Sequence, residues 1–175
     1  MILLNQPLLR NMVRALRLFR KVLIPFEVDG FLPNLLILLP RILMGSLLAF
    51  KYAPNKFGTP WTPERMKLST LEVSQEFVAY IAYQGYPFDL TPEVYAWSIG
   101  FMEAFGGLLL IVGLNTRITS FFVFLTMLMS IFVRSWDGSW DILPVFFFFC
   151  LGLFYLGLGA GKFSLDHYLF RQFIP

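Results

Sequence analysis

The chain has 175 residues, which allows one domain or a handful of membrane spans with their connections. Hydrophobic residues make up 57% and charged residues 14%, against about 45–50% and about 25% in an ordinary soluble domain, so a soluble globular fold, a disordered chain and a coiled coil are all excluded. The net charge of +3 is small, and no basic stripe interleaved with exposed aromatics suggests nucleic acid as a partner.

Residues 1–30 read as a basic amphipathic interfacial helix and a linker. At 100° per residue Arg10, Arg14, Arg17 and Lys21 fall in one narrow arc, with Leu8, Met12, Leu16, Phe19 and Leu23 opposite. Asn5 is a candidate cap, Pro7 suits the first turn and Pro25 stops the helix. A secretory signal fits less well, because charge recurs throughout and no small-residue cleavage site follows. The basic arc is expected to bind the membrane surface through anionic head groups, or else to dock a partner protein.

Four apolar spans follow at about residues 31–52, 93–113, 117–135 and 140–160, each long enough to cross about 30 Å of hydrocarbon at about 1.5 Å per residue. Thr91, Pro92 and Glu93 mark the start of the second span, and Gly113 with Asn115 its end. Short turns make consecutive spans antiparallel. The expected fold is therefore an all-α integral membrane protein, an up-down four-helix transmembrane bundle over residues 31–160.

Eight Lys and Arg lie on the side of the termini and five on the side of the long loop. Both termini are therefore expected to face the cytoplasm, and the expected location is a prokaryotic inner membrane. The outer loop, residues 53–92, is too long for a plain connection. Thr62 and Pro63 predict one short helix, and Ser69 with Glu72 predicts a capping box for a helix running to about Gly85. Leu71, Val78, Ile81 and Ala82 would share its inner face, making a helical lid. Trp61, Trp97, Trp136, Trp140 and Tyr52 read as an interfacial aromatic belt or as ligand-stacking rings. Residues 161–175 read as a cytoplasmic tail.

Arg41 and Glu103 are the sharpest chemical signal. Each lies about ten residues into its span, hence near mid-bilayer, where a lone charge costs at least about 2.5–3.5 kcal/mol. They are expected to meet as a buried pair. The alternatives are a cavity-lining proton or polar-ligand site and an Arg41 that escapes toward the interface. A second polar group, Lys56, Arg134, Asp137 and Asp141, is expected at the outer mouth, either as interfacial ion pairs or with Asp141 pointing into the bundle. Gly45 with Ala49, Gly100 with Ala104, and Gly106 with Gly107 read as small faces for helix packing. The run Phe146–Phe149 presents rings all round one turn, toward lipid, a quinone tail or a partner helix.

No nucleophile elbow, phosphate loop or histidine triad occurs. The single Cys150 allows neither a disulfide nor a dithiol pair within the chain, and the single His167 leaves no bis-histidine haem or His-rich metal cluster. No catalytic residue, metal or intrinsic cofactor is assigned.

Three segments together resemble the DoxX family of small four-span membrane proteins: LPRILMGSLLAFKYAPNKFG from Leu39, EAFGGLLLIVGLNTR from Glu103, and GAGKFSLDHYL from Gly159. The resemblance implies association with oxidoreductase systems, related members being subunits of a thiosulfate:quinone oxidoreductase or partners of membrane redox assemblies. The leading expectation is a non-catalytic accessory subunit of a redox or energy-converting membrane complex, packed against partner subunits, lipid or quinone. Two alternatives are a quinone-linked oxidoreductase subunit with its site near Glu103, and a proton or small-solute pathway through Arg41 and Glu103.

Overall fold

The computed structural model describes residues 29–133 and 142–173. The amphipathic helix expected over residues 5–25, with Arg10, Arg14, Arg17 and Lys21, lies outside the described residues. So do Arg134, Asp137 and Asp141 of the outer-mouth group, and Trp136 and Trp140.

The described residues are helical, with one isolated antiparallel bridge between Phe57 and Val73 and no strand. The first helical run consists of α1 (Phe31–Ser46), a π-helical segment (Leu47–Tyr52) and a 3-10 turn (Ala53–Asn55). A 3-10 turn Glu64–Met66 and α2 (Gln75–Tyr83) lie in the long loop. The second run is α3 (Pro92–Phe101), a second π-helical segment (Met102–Gly106) and α4 (Gly107–Val112). Then come α5 (Thr116–Val133), α6 (Leu143–Leu158) and α7 (Leu165–Phe173).

Two of these runs, Phe31–Asn55 with 25 residues and Pro92–Val112 with 21, are long and apolar enough to cross a membrane. Only 33% and 39% of their apolar windows is buried within the chain, whereas the core helix of a soluble protein is mostly buried. Thr116–Ile131 and Leu143–Leu158 are shorter apolar helices.

The limits of these elements have local causes. Gly30, at φ 105°, precedes α1, and the Asn34 side chain donates back to its carbonyl at 2.7 Å. The second run closes on Gly113 at φ 75°, with Leu114 N–H bonded to Leu109 O at 2.9 Å and Gly113 N–H to Leu110 O at 3.2 Å. That pairing is the glycine-dependent stop that leaves few carbonyls orphaned. α6 ends at Gly159, φ 76°.

Helix α1 packs on α4, and α5 on α6. The α1–α4 contact is a backbone crossing. A Cβ on Gly45 would lie 2.5 Å from Gly107 O, and one on Gly107 would lie 2.8 Å from Ala49 N. Without a hydrophobic drive between helices in lipid, such close approach supplies the van der Waals contact that holds them. Gly106 faces α5 at Thr119, and Gly152 on α6 faces the Phe124 backbone of α5. Ile37, Met44, Leu48, Leu110, Val123, Met127, Phe148 and Tyr155 form the central apolar cluster.

The long loop folds back onto the helices. Gly58 N–H donates to Glu72 O and Leu71 N–H to Gly58 O, each at 2.7 Å. A Cβ on Gly58 would lie 1.8 Å from Ser69 O, so no side chain fits there. Half of the Ser69–Glu72 pattern forms, Ser69 N–H donating to Glu72 Oε2 at 2.7 Å while Glu72 N–H donates to the Ser69 carbonyl, and it opens no helix. Leu71 adopts φ 69° and Glu72 and Val73 are drawn into the pairing with residues 57 and 58, so α2 starts only at Gln75. Leu71 is correspondingly exposed, while Val78 and Ile81 are buried against Ala96 of α3.

Trp61 is tied inward for a reason legible in the covalent chemistry. In the first π-helical segment Ala53 N–H bonds to Leu48 O, and the next i+5 partner, for Ala49 O, is Pro54, which has no N–H. The Trp61 indole fills that vacancy, donating to Ala49 O at 2.8 Å. The Trp97 indole donates to the loop carbonyl of Leu71 at 3.2 Å.

Candidate functional site

The polar side chains inside the apolar region form two separate groups, one near the end of the helices that carries the long loop and one near the opposite end. Arg41 and Glu103 belong to different groups. The expectation that they meet is overturned. The reason is register: the Gly45–Gly107 crossing sets α1 against α4, one turn beyond Gly45 brings Arg41 level with Gly113, and Gly113 is ten residues from Glu103, about 15 Å along a helix.

At the loop end, Glu103 sits in the second π-helical segment, which abuts the first. After Asn55 the chain turns inward. Ala53, Pro54 and Phe57 are buried, and Phe57 occupies the notch left by Gly100, whose Cβ would lie 2.7 Å from its ring. Gly100 therefore accommodates a loop side chain and not a second helix, and Ala104 packs with Ala53 and Phe57. The inward turn carries Lys56 to Glu103, where its ammonium donates to Oε1 at 2.7 Å. The side chains are 22% and 8% exposed respectively. The ammonium also lies over the Phe77 ring, 4.9 Å from its centroid, a cation–π contact from the loop. Glu103 Oε2 is buried and bonds to none of the described residues.

The second group lies at the end carrying the Gly113–Asn115 turn. Arg41 is 1% exposed and donates to Ala160 O through Nη1 and to Phe163 O, at 2.7 Å, through Nη2. Gly113 leaves the space it needs, since a Cβ there would lie 2.8 Å from Arg41 Cζ. Asp166 follows. Its oxygens accept from Asn115 N–H at 2.8 Å and Thr116 N–H at 3.0 Å, and its own N–H donates to Gly113 O at 2.9 Å. The carboxylate thus caps the positive end of α5 and helps to offset the charge of Arg41.

Tyr155 on α6 donates to Ile37 O at 2.7 Å, Asn34 Oδ1 accepts from Lys162 N–H at 2.9 Å, and Ser164 Oγ accepts from His167 N–H at 3.1 Å at the start of α7. Residues 159–166, expected as the end of the fourth span and the start of a cytoplasmic tail, are therefore a clasp joining α1, α5 and α6, with 159–161 and Asp166 buried and Phe163 and Leu165 exposed. Sequence reasoning gave no role to Asn34, Tyr155 or Asp166. The Ser-Leu-Asp that follows Gly-x-Gly was the available signal, since it combines glycine turns with capping side chains.

Chemically, the clasp spends both Arg41 Nη groups and both Asp166 oxygens on backbone groups of this chain, leaving only the Arg41 Nε of these two side chains unbonded among the described residues, whereas the Lys56–Glu103 pair keeps one carboxylate oxygen open. Among the described residues, no three His, Cys, Asp or Glu side chains come together in a group able to hold a metal ion.

The DoxX family model matches residues 36–136, more than half of the chain and a stretch that includes Arg41, Lys56 and Glu103. The chain belongs to the DoxX family. With its outward-facing apolar helices, this DoxX chain is a membrane protein. Asp166 and the rest of the clasp lie beyond the matched stretch. No curated protein and no solved structure matches the chain.

Proposed function

We propose that this DoxX protein is a four-span bundle in a prokaryotic inner membrane, both termini cytoplasmic, serving as a non-catalytic accessory subunit of a larger redox or energy-converting complex. Helices α5 and α6 supply the third and fourth spans, and the excess of Lys and Arg on the side of the termini sets the orientation.

One observation carries the reading. Arg41 and Asp166 hold together parts of this chain, while Leu32, Leu36, Leu39, Leu43 and Phe50 on the first helical run are all more than half exposed. Charge is used inward for architecture, and an apolar stripe is presented outward to lipid, a quinone tail or partner helices.

A second reading, a membrane subunit of a quinone-linked oxidoreductase of the thiosulfate:quinone type, is favoured by the open oxygen of Glu103. A pathway resting on contact between Arg41 and Glu103 loses its basis, because the two do not meet.

Gentle detergent extraction from native membranes, with identification of co-migrating proteins and analysis for haem and quinone, separates the readings. Co-migration with cofactor-bearing subunits is the expected result. Recovery of this chain alone with quinone at a fixed ratio would overturn the accessory role in favour of the second reading, and recovery of a bare monomer would overturn both.

A further inference from the structure

We propose that Glu103 is a proton-exchange site, its open Oε2 taking up and releasing a proton carried by water along Lys56 from the side of the long loop. The Glu103 side chain is more than nine-tenths buried, yet among the described residues only Oε1 is engaged, at 2.7 Å from the Lys56 ammonium. Oε2 is buried and bonds to none of the described residues. The buried carboxylate of the clasp differs, since Asp166 has both oxygens engaged by backbone amides, and a buried polar atom left without a partner is the exception in folded proteins. Lys56 is the partner on the solvent side, with 22% of its side chain exposed and the Phe77 ring of the lid above it.

The proton balance is simple. In one state the carboxylate and the ammonium form a neutral pair. In the other, one proton from loop-side water sits on Oε2, the Lys56 ammonium still donates to Oε1, and the pair carries one positive charge. The reverse step returns the proton to the same water. Among the elements packed against the second π-helical segment, Lys51 and Tyr52 come from the first such segment, Glu93 and Tyr95 from the start of α3, and Arg117 from the far end of α5. Among the side chains of the described residues, only Lys56 bonds to the Glu103 carboxylate. The abutting π-helical turns are the kind of irregularity that recurs at functional sites in helices.

This inference stands apart from the accessory-subunit reading, since a proton site is compatible with any partner. The test uses the full chain in proteoliposomes and N,N′-dicyclohexylcarbodiimide, which adds to protonated carboxyls in apolar surroundings, with the modified residue located by mass spectrometry. The expected result is modification of Glu103 whose rate falls about tenfold per pH unit above the titration midpoint.

Infrared difference spectra between acidic and alkaline media give a second readout on the unmodified protein. They should show a protonated-carboxyl band that appears on acidification and is missing in Glu103→Gln. In Lys56→Met the band should persist into more alkaline medium, because the ammonium that favours the ionised form is gone. Absence of both the adduct and the band over the whole range in which wild type stays folded would overturn the proposal, as would a band that ignores pH. The wild-type arms keep the test decisive even if a variant fails to fold.

Discussion

Gly45 and Gly107 cross with their backbones in contact: a Cβ on the first would meet the carbonyl oxygen of the second at 2.5 Å. This contact sets the register of the two longest helical runs. It puts Arg41 beside Gly113 and leaves Glu103 to a partner from the loop.

Replacing Gly107 with leucine should force the two helices apart and destabilise the protein by about 1–3 kcal/mol or more, the usual range for overpacking. Gly157→Ala is the control, because a Cβ there meets nothing within 4 Å. Thermal unfolding in detergent should show a clear loss for the first and almost none for the second.

In alkaline medium, where Glu103 is ionised, Lys56→Met should be more harmful than Glu103→Gln. The first then leaves a buried carboxylate with no partner, a loss of about 3–5 kcal/mol for a broken buried pair. The second leaves an ammonium that is already partly exposed. The double substitution should recover much of the deficit of Lys56→Met, and a double-mutant cycle of unfolding free energies checks it. Equal costs for both single variants, with simple additivity, would show that the pair is not coupled.

Arg41→Gln should release the clasp. Two bonds from a charged donor to Ala160 and Phe163 carbonyls are lost, each worth about 1.5–3 kcal/mol. Faster hydrogen exchange at residues 159–166 and at the Asn115 and Thr116 amides is expected, with the Lys56–Glu103 end unaffected.

Asp166→Ala should cost about 0.5–2 kcal/mol through the lost cap of α5, and Asp166→Asn distinctly less. Comparing the two by thermal unfolding separates the capping role from mere side-chain volume.

Asp29 bonds to Lys162 at 2.7 Å, and this hydrogen bond with its attraction holds the carboxyl below its ordinary range. A depressed folded-state value means that any stabilisation is present above the unfolded carboxylate range and fades as pH falls through the folded one. Asp29 is fully solvated, so the effect is small and sensitive to salt. The difference in melting temperature between wild type and Asp29→Asn should close on acidification and in concentrated salt.

Local chemistry was readable along the chain wherever it is self-contained. Apolar runs interrupted by Thr91-Pro92 and by Gly113 located helices and their ends, because capping and glycine geometry act within a few residues. Thr62-Pro63 is followed only by the 3-10 turn Glu64–Met66, and the Thr62 hydroxyl bonds back to Thr59 and Phe57 and caps no helix. Ser69 and Glu72 made one of the two bonds of a capping box, but pairing with Phe57 and Gly58, fourteen or so residues away, took that segment out of the helix.

The charged residues show where sequence reading stops. Composition alone established that Arg41 and Glu103 lie in apolar surroundings and need compensation, because an uncompensated charge there is too costly. Which groups supply it depends on how one helix slides along another and on where the chain returns after a turn. Counting residues from each helix end placed both charges at one depth. The Gly45–Gly107 crossing, the inward turn that delivers Lys56 and the return of residues 159–166 to Arg41 gave them different partners, and those contacts join residues as many as 122 positions apart.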